Sequence, residues 1–210
     1  MTASARRSMG GNGRTTRRRL EMSDDFTYPR RMHTAPMTAD TLLQLILPGK
    51  RTELVRGRLV VREPVGAYRG SVAMRIAYVI MKFAEPRGLG RVFAAETGFV
   101  LATNPDTVRA PDVAFVRTER LPDPIPAGFA EFVPDLAVEV VSPGDRSGEV
   151  EEKVTAWLTA GVALVWVVDP QRRSACVHRA DGGVSDVGDA GVLAGEEVLP
   201  GLEVELATVF

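Results

Sequence analysis

Cysteine occurs once in this chain, at Cys176, and histidine twice, at His33 and His178. A single cysteine excludes an intramolecular disulfide and a cysteine metal cluster, and it suits a reducing cytoplasm. Two histidines cannot by themselves make a multi-histidine zinc site. Aromatic residues are only 6% of the 210, too few for a stacking platform of interleaved aromatic and basic side chains. Long apolar runs are also missing. The most apolar, Val162 to Val168, has the length of a strand and falls far short of a bilayer span. Paired arginines near the amino end precede no apolar stretch, which argues against a secretory or twin-arginine signal. There is no Gly-rich phosphate loop, no nucleophile elbow and no His-Glu-x-x-His helix.

What is present is an ordinary globular composition, 45% hydrophobic and 25% charged with a formal net charge of -1. The length suits one domain with extensions. The near-neutral total hides an asymmetry, because residues 1–31 hold eight arginines against Glu21, Asp24 and Asp25. An arm so rich in Arg, Ser, Thr and Gly has almost nothing to bury, and residues 1–35 are expected to be a disordered basic arm. Basic tails can grip nucleic acid. Starts at Met22, Met32 or Met37 would instead leave the arm outside the native protein.

Residues 36–210 read as a single domain. Thr38 can cap a short helix running through Leu47, with Leu42, Leu43 and Ile46 as its apolar side. Glu53-Leu54-Val55 and Leu59-Val60-Val61 flank Arg56-Gly57-Arg58 as a hairpin. Apolar residues at helical spacing from Gly70 to Ala84 predict a second helix, ended by Pro86 and Gly88. Strands follow around Val92–Ala95 and Phe99–Leu101, then at Asp112–Val116, and after a Pro-rich loop at Asp135–Val141. A helix from Ser147 to Ala160, a buried strand at Ala163–Val168 and a β-rich tail complete the order. The expected fold is α/β or α+β, a mixed sheet with helices on its faces.

Asp135-Leu136-Ala137-Val138-Glu139-Val140-Val141 is an apolar strand with a carboxylate in its middle. Period-two alternation sets Asp135, Ala137, Glu139 and Val141 on one face. An unpaired charge there costs several kcal/mol, so Glu139 needs a cation, either a metal or a basic side chain. Asp112 opens another strand, and two carboxylates from neighbouring strands form a hard oxygen site suited to Mg²⁺ or Mn²⁺. The backbone carbonyl of Val140 could add a further oxygen. Lys153, fourteen positions after Glu139, could return to the same cleft from the following helix. Spacing alone favours a simpler account of Lys153, a solvated i,i+4 ion pair with Glu149.

These pieces together resemble the PD-(D/E)XK nuclease superfamily, and residues 38–180 resemble the Uma family of restriction endonucleases. The resemblance rests on Glu53-Leu54-Val55-Arg56-Gly57, on Thr107 to Phe115 around Pro111-Asp112, and on Pro134 to Pro143 around Glu139. Asp145-Arg146, Glu152-Lys153-Val154, Ala160-Gly161-Val162 and Val165 to Pro170 follow in the family's order. The resemblance implies a restriction-endonuclease-like sheet. It implies Asp112 and Glu139 as metal-binding carboxylates, Lys153 as the catalytic lysine and Glu53 as an additional acidic residue. Two positions depart from the pattern. Arg58 follows the hairpin glycine where many members are acidic, and Tyr68-Arg69-Gly70 stands where many carry a histidine.

The expectation is therefore a Mg²⁺-dependent endonuclease acting on DNA phosphodiester bonds, cytoplasmic, without a membrane span and compatible with a homodimer. Two alternatives stand beside it: a nuclease fold kept as a binding module after loss of activity, and a phosphoesterase with another substrate. Glu96 is a further candidate for the acidic cluster or else a turn residue. Arg109, Arg69 and Arg62 could meet phosphates, though surface charge is the simpler account of each. Cys176 and His178 fall on a late strand and read as structural.

Overall fold

The computed structural model describes residues 36–210; the arm assigned to residues 1–35, and His33 with it, lies outside the described residues. Thr38 caps helix α1, Ala39–Leu43, by accepting the Thr41 N–H at 3.2 Å. The helix stops four residues short of the expected Leu47. Leu42 and Leu45 pack with Leu54 and Val108, whereas Leu43 and Ile46 are exposed, so nothing on the expected apolar side carries the helix further. Strands β1, Arg51–Val55, and β2, Arg58–Arg62, pair as the expected hairpin. Its turn residues Arg56 and Gly57 have φ of 50° and 72°, the left-handed pair that a two-residue hairpin turn requires. A Cβ on Gly57 would also fall 2.3 Å from the Pro36 Cβ.

Helix α2, Ala67–Ala84, begins one turn before the expected Gly70 and buries Val72, Ile76 and Ile80. Gly88, at φ 64°, ends the short 3₁₀ turn that follows it. Next come β3 (Gly90–Ala94), β4 (Phe99–Ala102), β5 (Thr107–Arg109) and β6 (Val113–Arg117). Strand β5 is not among the expected elements, and Asp112 immediately precedes β6 rather than opening it. Strand β7 (Leu136–Val140), helix α3 (Ser147–Thr159) and strand β8 (Leu164–Asp169) form a parallel strand–helix–strand unit. The tail supplies β9 (Ser174–Arg179), β10 (Val184–Val187), β11 (Val192–Ala194) and β12 (Glu203–Glu205).

The main sheet has the order β10-β9-β8-β7-β6-β3, and a smaller sheet has the order β2-β1-β5-β4. Side-chain alternation along β7 divides the core. Leu136, Val138 and Val140 face α2 together with Val113, Phe115 and Trp166. The β11–β12 hairpin packs Leu193 and Val204 into that same cluster. Ala137 lies on the other face, under Val154 and Trp157 of α3. Each fully buried large side chain in these layers contributes about 1.5–3 kcal/mol. Because β7 is central, its odd-numbered face puts Glu139 under α3 instead of in solvent. Among the described residues no helix is long and apolar enough to cross a membrane.

Candidate active site

Glu139 is 3% exposed, and α3 supplies both of its partners. Lys153 Nζ donates to Glu139 Oε2 at 2.7 Å, and one turn on Trp157 Nε1 donates to Oε1 at 3.0 Å. The surface pair of Lys153 with Glu149 does not form. Glu149 accepts instead from Arg62 at 2.9 Å, while Lys153 turns inward toward Glu139 and lies 3.7 Å from Glu53 Oε1. Two buried carboxylates outweigh one solvated neighbour in the competition for an ammonium.

Glu53 reaches this point from β1. Its Oε2 accepts from Arg109 Nη1 at 3.0 Å and its Oε1 from the Ala110 N–H at 3.2 Å. Arg109 is 4% exposed, so it is neither a surface charge nor placed to meet a phosphate; it is the buried counter-ion of Glu53. Burial pushes the Glu53 carboxyl up, but Lys153, Arg109 and the Ala110 N–H outweigh it and hold the pKa below the ordinary value. Glu139 moves the other way. Burial raises it, Lys153 opposes the rise, and the negative charges of Asp112 and Glu53 add to it.

Asp112 stands at the mouth of β6, buried and close to the end of β7. Its Oδ2 accepts the Val140 N–H at 2.8 Å and Arg69 Nη2 at 2.8 Å. Its Oδ1 accepts no hydrogen bond from a described residue, and Arg51 Nη2 lies 3.7 Å away. Arg69 also reaches Asp145 Oδ2 at 3.3 Å, and Asp145 in turn accepts the Ser142 N–H at 2.8 Å. One guanidinium thus ties the first turn of α2 to the loop between β7 and α3.

A cavity of about 460 Å³ opens over these groups, lined by Glu53, Glu139, Val140 and Lys153 and by Arg51, Arg62 and Arg69. Asp112 does not line it; Arg51 and Arg69 do. Glu96 is at the rim, exposed, with φ 71° and its carboxylate 3.9 Å from Arg51. It is therefore both a turn residue and a cavity acid. Asp135 shares the Glu139 face but sits about 13 Å along the strand, held by Arg120 and the Arg117 N–H. Cys176 and His178 line a separate groove, where burial raises the thiol pKa and so disfavours the nucleophilic thiolate.

Among the described residues no group of three or more His, Cys, Asp or Glu side chains could hold a metal ion. Each acid is turned toward its own cation. Mg²⁺ needs less than such a cage, because it keeps several waters and takes only one or two carboxylates. Asp112 Oδ1, with no hydrogen bond from a described residue, and Glu139, whose oxygens accept one each, retain lone pairs for that purpose. These carboxylate oxygens are hard donors, of the kind that suits a divalent cation.

Trp157, Arg51 and Asp145 do not emerge as site residues from the sequence. Trp157 carries the one usable signal, since it follows Lys153 at i+4 and must share its face of the helix.

A family model described as "Uma2: Putative restriction endonuclease" matches residues 39–208. No curated protein matches the chain. Among solved structures the chain is similar to one described as "a putative nuclease belonging to DUF820 from Anabaena variabilis", at 19% identity and a TM-score of 0.73. The similarity covers 83% of this chain and 98% of that one. At this identity it shows the fold, a mixed α+β arrangement like that nuclease's.

Proposed function

The chain belongs to the Uma2 family, and from that premise we propose that it is a Mg²⁺-dependent endonuclease hydrolysing DNA phosphodiester bonds, with Mn²⁺ as a substitute. The observation that carries the reading is Glu139, a central-strand carboxylate opening into a cavity with Lys153 at 2.7 Å. In this reading Asp112, Glu139 and the carbonyl of Val140 would hold the metal. What the metal supplies when bound is neutralisation of phosphate charge and acidification of a water.

The chain's own residues do the rest. Lys153, held between Glu139 and Glu53, orients the attacking water and stabilises developing negative charge. Glu53 keeps the ammonium in place, and Arg109 holds Glu53. Trp157 fixes the Glu139 carboxylate in one orientation. Arg62, at the cavity wall, meets phosphate oxygens. A cytoplasmic location and a homodimer are further proposals, checked by fractionation and by analytical ultracentrifugation.

The test is nicking of supercoiled plasmid with Mg²⁺ or Mn²⁺, comparing wild type with Lys153→Ala and Asp112→Asn. Each variant is expected to lose at least about 100-fold in rate. Equal nicking by all three proteins points to a contaminant and removes the assignment. A second reading has one observation in its favour: Arg69 already neutralises Asp112, as a binding module that has lost activity would allow. DNA binding without metal-dependent cleavage supports that module, and hydrolysis of only a small phosphodiester supports a phosphoesterase.

A further inference from the structure

Arg69 is a cavity cation hydrogen-bonded to a proposed metal ligand, and the proposed mechanism leaves it unused; Arg51, also unused, stands off Asp112 Oδ1 at 3.7 Å. Its Nη2 donates to Asp112 Oδ2 at 2.8 Å, while its Nη1 spans Asp145 Oδ2 at 3.3 Å and Ser142 Oγ at 3.4 Å. The Asp112 side chain is 3% exposed and that of Arg69 14%, so the pair is screened from water and strongly coupled. Arg69 lines the cavity and Asp112 does not. A cation entering from the cavity therefore meets guanidinium groups before the carboxylate, Arg69 in hydrogen-bond contact with it and Arg51 further off.

Resting on the metal-site reading above, we propose that Arg69 is an exchangeable counter-ion of Asp112, which a divalent cation displaces when it binds and which thereby sets metal affinity. Both cations compete for one negative charge, and a guanidinium and a divalent ion repel each other when both face Asp112. The displaced guanidinium keeps a holder, because Asp145 lies within reach of its other arm. It also has a use. Arg69 Nε is buried and has no hydrogen-bond partner among the described residues; once Nη2 is released and the side chain turns toward the cavity, the two donors form the planar fork that fits a phosphate. Metal binding at Asp112 thus turns a cavity wall that is neutral at Arg69 into one that recognises a phosphodiester. Toward the metal Arg69 is a positioning residue, acting through Asp112.

The test is Mn²⁺ binding to the full chain by calorimetry, for wild type, Arg69→Gln and Arg69→Lys. Arg69→Gln is expected to bind Mn²⁺ at least about tenfold more tightly than wild type, with Arg69→Lys between them. A merely structural role would weaken binding instead. Equal or weaker binding by a folded Arg69→Gln overturns the inference and leaves the metal site standing. No binding by any of the three overturns the metal site itself. Should the variants not fold, the Arg69 Nε–H resonance of the wild type is followed during Mg²⁺ titration. A saturable shift supports displacement, and a signal unmoved while Mg²⁺ binds overturns it.

Discussion

Glu53 and Glu139 both approach Lys153, yet their acidities are pushed in opposite directions. The difference lies in the number of donors each receives. Glu53 has Arg109, a backbone N–H and a share of Lys153, enough to overcome its burial. Glu139 is more deeply buried and faces two other carboxylates. Because the folded pKa of Glu53 lies below its ordinary value of 4.5, ionised Glu53 contributes stability above that pH. The contribution is lost as the pH falls through the folded value. For Glu139 the sign reverses, and folding is opposed as the pH rises from 4.5 toward its raised value. Glu53→Gln is expected to destabilise the protein by about 1.5–3 kcal/mol at neutral pH through loss of charge-assisted hydrogen bonds. The difference in melting temperature from wild type should narrow as the pH drops below 4.5. A difference independent of pH would show that the Glu53 charge contributes nothing to stability. That Glu139 needs a cation was legible from a charge in an apolar strand. The burial of Arg109 was not, since arginine is seldom buried and only its pairing with Glu53 makes it so.

Helix α3 does more than cover the sheet. By placing Lys153 and Trp157 one turn apart over Glu139, it makes a single helix face the support of the buried carboxylate. Trp157 is fully buried and meets Phe99 edge-on at 6.2 Å, so its packing and its N–H act together. Trp157→Phe retains most of the packing and removes the donor. The expected cost is about 1.5–3 kcal/mol, the value of a hydrogen bond to a charged group. It is measured as a lower urea midpoint with an unchanged m-value. An unchanged midpoint would mean that water replaces the indole. The hairpin β1–β2, both long helices and β7 could be read from turn chemistry and apolar period. Strand β5 could not, because three residues show no alternation. It exists because Val108 pairs across to Leu54 and Val100 in a separate sheet. The end of α1 was misplaced for a related reason: the pattern marks which residues are apolar but not which of them find a core.

Charge over the molecule works against a nucleic-acid ligand except at the cavity. Residues 36–210 carry 18 basic against 24 acidic side chains, and many of the cations are already paired. Lys50 pairs with Glu63 and Arg62 with Glu149 at the rim, while Lys153 and Arg109 are held inside by the site acids. Cations in no salt bridge among the described residues, such as Arg56, Arg91 and Arg146, do not line the cavity, so few cations there are free to replace counterions on DNA. Each phosphate neutralised contributes about -0.9 to the slope of log binding constant against log salt on duplex DNA. The slope for the described domain should therefore be shallow, no steeper than about -3. Arg62 contributes to it most directly, because its partner Glu149 is partly exposed and can exchange it for a phosphate at little cost. Arg62→Ala should weaken binding similarly on unrelated sequences and reduce the slope by about 1. Fluorescence anisotropy over a salt series, with the basic arm removed in parallel, measures both effects. A steep slope that disappears with the arm would place the DNA contacts in residues 1–35. A slope unchanged by Arg62→Ala would take Arg62 out of the phosphate-binding wall.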